Sequence, residues 1–203
     1  KLSSRYLHFP STPTLPLLRI ADYRPTRLVW NCLHGHRRAV SVPTNFVQYR
    51  EPFQTYEFGD TFSTPITAAD TFFSWVLENK PGTPILIYEG WPDMALYTNG
   101  QFPPTPQQWA NYQDDADFTS DFHDWFVELH DSLVNRFPGE CIRMIPVGPI
   151  ISEILDRAPY NTMVIDSIYE DDAPHGRPTI YFLAGMITYM AMYEEPAPLS
   201  YVP

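Results

Sequence analysis

Pro84-Ile85-Leu86-Ile87-Tyr88-Glu89 is a short, uninterrupted apolar run closed by a charge, and Cys141-Ile142-Arg143-Met144-Ile145-Pro146-Val147 is a second strand candidate further along the chain. Runs of this length and continuity suit strands buried on both faces, as in a parallel sheet. The segments around them have the helical period. Thr67 is placed to cap a helix whose apolar positions are Ala69, Phe72, Phe73, Val76 and Leu77, with Pro81-Gly82 as its stop. A second helix is expected from near Ser120, burying Phe122, Trp125, Phe126, Leu129 and Leu133 and ending at Pro138-Gly139. A short helix is expected over Pro149 to Leu155, and a last one from Pro178, a favourable first-turn proline, to about Glu194. The polar, proline-rich stretch 92–118 is expected to be a long loop. Helix, strand, helix, strand, helix is the grammar of an α/β fold with a mainly parallel sheet.

The chain has 203 residues, which suits one domain with a substantial core, and it is rich in aromatic residues (13 Phe, 13 Tyr, 5 Trp). Its 22 prolines lie scattered between apolar runs and punctuate loops. No apolar run reaches bilayer-spanning length; Thr179 to Tyr193, the most apolar segment, is too short and is expected to be a buried helix. A formal net charge of −11 argues against nucleic acid or an anionic membrane as partner. No signal peptide is visible, which fits a processed or a cytoplasmic chain. Cys32 and Cys141 do not make a disulfide framework, so the compartment stays open, with secretion or the periplasm preferred. Oligomeric state is not legible.

Asp172-Ala-Pro-His175 carries the chemistry. A carboxylate three residues before a histidine can orient the imidazole and stabilise its cation, freeing the other ring nitrogen to take a proton from a hydroxyl. As an isolated pattern this is a surface turn. Here it occupies the last loop of an α/β pattern, where such folds place their sites, and runs directly into the closing helix.

In that setting the chain resembles the SGNH (GDSL-type) hydrolases over roughly residues 65–195. That family's last motif is D-x-x-H before a C-terminal helix, matched by Asp172 and His175, and the following Gly-Arg-Pro-Thr-Ile-Tyr-Phe-Leu-Ala-Gly resembles the opening of that helix in bacterial members. The resemblance implies a three-layer α/β/α domain, flavodoxin-like in its layering. It also implies hydrolysis of carbohydrate or small-molecule esters, often acetyl esters, through a serine acyl-enzyme. No metal or organic cofactor is implied. In place of the family's asparagine motif the chain reads Glu89-Gly90-Trp91-Pro92-Asp93, where the N–H of Gly90 or Trp91 could donate to an oxyanion and Trp91 could stack on a sugar ring. The other reading of Tyr88, Trp91 and Pro92 is packing at a strand end. Gly59 takes the place of the second-motif glycine by order along the chain.

No nucleophile motif is recognisable. The segments from Leu17 to Tyr23 and from Leu28 to Arg37 approach it in shape without a serine, and Ser11, Ser41 and Ser63 sit in no recognisable elbow. The alternatives are an inactive relative that keeps the fold as a binding protein, or a metal-assisted hydrolase built on the acidic run Glu170-Asp171-Asp172. His34 and His36 lack a third ligand at metal-site spacing and read as a loop pair. His123 and His130 share a helix face and are expected to be solvated or bonded to nearby acids.

Residues 1–50 stand apart as a basic, proline-rich segment holding eight of the thirteen basic residues and a single acid, Asp22. Leu15 to Ile20 and Leu28 to Leu33 are its strand-like runs, with no helix-period stripe between them. Such asymmetry fits a natural basic arm, or a discontinuity: a replaced or misread N-terminus, or a first motif lying outside the chain.

Overall fold

The computed structural model of the chain describes residues 64–198. They form α1 (Pro65–Asn79), β1 (Ile85–Glu89), α2 (Ala95–Thr98), α3 (Pro106–Asp115), α4 (Asp121–Arg136), β2 (Ile142–Pro146), α5 (Val147–Leu155) and α6 (Pro178–Tyr193). Short 3-10 turns at Tyr160–Thr162 and Ile165–Ser167 connect α5 to the loop before α6. The fold is α/β. Its sheet, among the described residues, is β1 and β2 paired in parallel with Ile85 opposite Ile142 and Glu89 opposite Pro146.

Alternate strand residues point to opposite faces, and two apolar clusters collect them. Ile85, Ile87, Ile142 and Met144 pack with Ile66 and Phe73 of α1 and Leu129 and Leu133 of α4. Leu86 and Ile145 join the second cluster, where Ile151 and Leu155 of α5 meet Ile180, Ala184 and Ile187 of α6. A fully buried aliphatic side chain such as Leu133 or Ile151 contributes about 1.5–3 kcal/mol.

Helix starts are set by side-chain caps. The first helix begins earlier than its apolar period suggests: Thr64 is the cap, bonded reciprocally with Thr67, and Pro65 occupies the first turn. That start places Ile66 and Phe73 on the buried stripe and leaves Phe72, expected inside, exposed. The stretch expected to be a loop holds α2 and α3. Thr105 and Gln108 close a capping box at the start of α3, an arrangement that contributes about 1 kcal/mol, and Tyr112 is the helix's buried anchor. Ser120 caps α4 through the His123 N–H. The last helix, expected to be buried, buries one stripe only and leaves Tyr181, Met192 and Tyr193 exposed. No helix of the described residues is long and apolar enough to cross a membrane.

The turn after β1 is pressed onto the start of α5. A Cβ on Gly148 would lie 2.1 Å from the Gly90 carbonyl oxygen and 2.9 Å from Trp91 Cα. Both obstacles are backbone and cannot rotate away. Gly148→Ala is therefore expected to destabilise the protein by about 3 kcal/mol, the upper range for overpacking. Denaturant unfolding measures it; a midpoint equal to wild type would mean that the two segments are not in contact.

Candidate functional site

Loop 170–175 is closed at its base by an antiparallel bridge between Tyr169 and Gly176. The Glu170 N–H donates to the His175 carbonyl at 2.8 Å, and the Arg177 N–H to the Ile168 carbonyl at 2.8 Å. Arg177 Nε adds bonds to the carbonyls of Asp166 and Tyr169 at 2.6 and 3.2 Å. Gly176 is needed where it is, because a Cβ there would come within 2.9 Å of Ile180 Cγ2. Helix α6 thus leaves the loop at a fixed angle.

Inside the loop the imidazole is held, but by a different carboxylate from the one expected. His175 Nδ1 lies 2.7 and 2.9 Å from the two carboxylate oxygens of Asp171. Asp171 Oδ1 also accepts the backbone N–H groups of Ala173 and His175 at 3.1 and 3.0 Å, an Asx-type turn that fixes its rotamer. Asp172 faces the other way, where its Oδ2 accepts the Thr98 hydroxyl of α2 at 2.9 Å. The expected Asp172–His175 hydrogen bond is therefore corrected: Asp171 orients His175, and Asp172 ties the loop to α2. The cause is the turn itself, which spends the first aspartate on the loop's own donors and turns the second outward.

Consequently the Asp171 carboxyl is held below its ordinary range, chiefly by the backbone and ring N–H groups of His175. His175 is shifted up by its hydrogen bond to Asp171, by that residue's charge, and further by Glu170. The ring is 64% exposed, and no described residue bonds Nε2, which is left for a partner. The upward shift means that the ring keeps its proton to higher pH, so the neutral base exists only above the raised value. Asp171→Asn is expected to bring the His175 pKa down toward its ordinary value, whereas Asp172→Asn leaves it in place. NMR titration of the His175 ring separates the two. A downward shift in Asp172→Asn alone would restore the spacing-based pairing.

The end of β1 reaches the same loop. The Trp91 indole N–H donates to the Pro174 carbonyl at 3.0 Å, beside His175, and its ring packs against Tyr169 and Tyr181. Gly90 lies in the turn immediately before it, half-buried. Trp91, Gly90 and His175 are thus brought to one end of β1. Gly59, Ser11, Ser41, Ser63, His34 and His36 lie outside the described residues. Asp171 and Asp172 point to different partners, and among the described residues no three His, Cys, Asp or Glu side chains converge as metal ligands.

Beneath the turn lies a pair that spacing did not reveal. Glu89, the last residue of β1, is fully buried, and both its oxygens lie close to His123 Nδ1, at 2.9 and 3.0 Å. Burial pushes the Glu89 carboxyl up, and the hydrogen bond from His123 offsets part of that. His130 is also buried, bonded to Asp131 at 2.9 Å and, through Nε2, to the Ile142 carbonyl at 3.3 Å. Of the two readings for these histidines, pairing with acids holds and solvation does not. The signal available in sequence was Glu89 itself, a carboxylate ending an apolar strand, and such a group needs a partner when buried. Compared with protein-family models, curated proteins and solved structures, the chain matches none.

Proposed function

We propose that the chain is an SGNH-type ester hydrolase with a three-layer α/β/α domain, removing acyl groups, acetyl foremost, from carbohydrate or small-molecule esters. The observation that carries this reading is the exposed His175, held at Nδ1 by Asp171 on a braced loop beside the C-terminal end of β1. An imidazole held in this way accepts a proton at Nε2. In the proposed cycle a hydroxyl supplied from before Thr64 attacks the ester carbonyl carbon as Nε2 takes its proton. The alcohol leaves with that proton, and water, activated by the same ring, releases the acid. Backbone N–H groups of Gly90 or Trp91 would meet the oxyanion, and Trp91 would offer a flat apolar face to a sugar ring. No step calls for a metal or an organic cofactor.

The test is covalent. A fluorophosphonate probe labels only an activated hydroxyl. Incubated with the full-length protein and followed by peptide mapping, it is expected to mark one serine or threonine within residues 1–63, with labelling abolished by His175→Ala. An unlabelled protein would make it an inactive relative with a binding role. Loss of activity in a chelator would move the reading to metal-assisted hydrolysis.

A further inference from the structure

Helix α6 buries Ile180, Ala184 and Ile187 as one stripe, and Tyr181, one residue past Ile180, is turned about 100° away from it in the helix's first turn. Its ring lies against the closing residue of the histidine loop: a Cβ on Gly176 would stand 3.5 Å from Tyr181 Cζ. On its other side is Trp91, with ring centroids 6.2 Å apart and planes tilted by 44°. The indole is fixed in place by its bond to the Pro174 carbonyl. Tyr88 comes from β1 and by strand alternation shares the side of Leu86, which packs on the cluster that α6 covers. A Cβ on Gly90 would meet Tyr88 Cε1 at 3.8 Å, so the ring continues into the turn after the strand.

The Tyr88 phenol is pushed up first by burial and then by Tyr181, so the two hydroxyls are neighbours. Tyr88, Trp91 and Tyr181 therefore make one aromatic wall between the end of β1 and His175. Unlike the aromatic rings of the core, this wall meets solvent: Tyr88 and Tyr181 are 46% and 53% exposed, and no described residue bonds either phenol hydroxyl. The segments that build it are the same ones that carry the candidate site. β1 leads into Gly90, the turn holds Trp91, and α6 starts from the loop of His175.

We propose that Tyr181 and Tyr88, backed by Trp91, select the alcohol side of the ester, and that the alcohol they take is a neutral sugar ring. A pyranose offers a face of C–H bonds that stacks on an aromatic ring and a rim of hydroxyls that can bond phenol oxygens. An aliphatic alcohol uses the rings and leaves the phenol hydroxyls without a partner. Charge decides against acidic sugars: Glu170 and Asp171 stand beside His175 in a chain of net charge −11, a field that repels carboxylates and sulfates. The inference rests on the ester-hydrolase reading for the sugar's place as leaving alcohol, and not for its binding.

NMR of the full-length protein with isotope-labelled tyrosine reads the two rings directly. The probes are xylohexaose and cellohexaose as neutral sugars, a galacturonate hexamer as the acidic counterpart and n-hexanol as the aliphatic alcohol. At least one neutral sugar is expected to shift the Tyr88 and Tyr181 signals in the millimolar range, with Tyr181→Ala weakening it about tenfold and Tyr88→Ala acting in the same direction. In catalysis, the kcat/KM ratio of an acetylated methyl xyloside to vinyl acetate should fall by a similar factor in Tyr181→Ala. Silence of both rings toward both neutral sugars overturns the proposal, as does an equal response to n-hexanol or to the galacturonate. Sugar binding without turnover of any ester keeps the aromatic wall as a sugar site and removes the ester-hydrolase reading. Turnover with silent rings and an unchanged ratio does the reverse.

Discussion

His175→Ala is expected to lower the hydrolysis of a simple acetyl ester by about 10²–10⁴-fold, the range for loss of a positioned general base. The melting temperature should stay within a degree or two, because the ring is exposed and, among the described residues, its side-chain bonds are to Asp171 alone. Asp171→Asn should fall between wild type and His175→Ala. The amide can still accept the Nδ1 proton, but it does not stabilise the imidazolium. The acid limb of its pH–rate profile moves to lower pH, since the carboxylate that raised His175 is gone. Asp172→Asn should keep that profile. Turnover by His175→Ala within a few-fold of wild type would remove the base from the mechanism.

The second large effect is on stability. Glu89→Leu is expected to cost about 3 kcal/mol, the upper end of the range for leaving a buried donor unsatisfied, because the His123 ring is left in the core without its acceptor. Glu89→Gln is the informative companion. Its amide oxygen can still accept from Nδ1, so the loss should be about 1 kcal/mol. The pH dependence has a defined sign. The Glu89 carboxyl is raised in the folded state by burial, so the native protein binds that proton more tightly than the unfolded chain. Its contribution is fully present below the ordinary carboxylate range and is lost as pH rises through the raised value. Melting curves across that range, wild type minus Glu89→Gln, should show the decline. A flat difference would mean that Glu89 titrates as it does in water.

How far the sequence could be read follows from the range of each interaction. The strands and the helices α4, α5 and α6 were legible because their signals are periodic and local. Helix α3 was missed because beyond its first proline only Trp109, Ala110 and Tyr112 break its polar run, although the Thr105-Pro106-Gln107-Gln108 cap was visible as a local pattern. The start of α1 slipped because Thr64 and Thr67 are both capping residues and bond each other. At the site, spacing found the loop and the histidine and chose the wrong aspartate. Three residues against four distinguishes nothing in an irregular turn. The choice is made by the Ala173 and His175 backbone N–H groups and by Thr98, a partner far away in the chain. Glu89 and His123 likewise pair across 34 residues of sequence. Contacts of that kind exist only after the chain has folded.

The bridge between Tyr169 and Gly176 makes loop 170–175 self-contained, with its ends fastened to each other before any side chain within it is considered. A self-contained insert can be exchanged, lengthened or reshaped while the flanking turn and α6 keep their places. The histidine and its aspartate travel together on it, so the catalytic proposal could be transplanted as one cassette. Thr98 on α2, which holds Asp172, and Trp91, which donates to the Pro174 carbonyl, are outside points that such a graft would have to match.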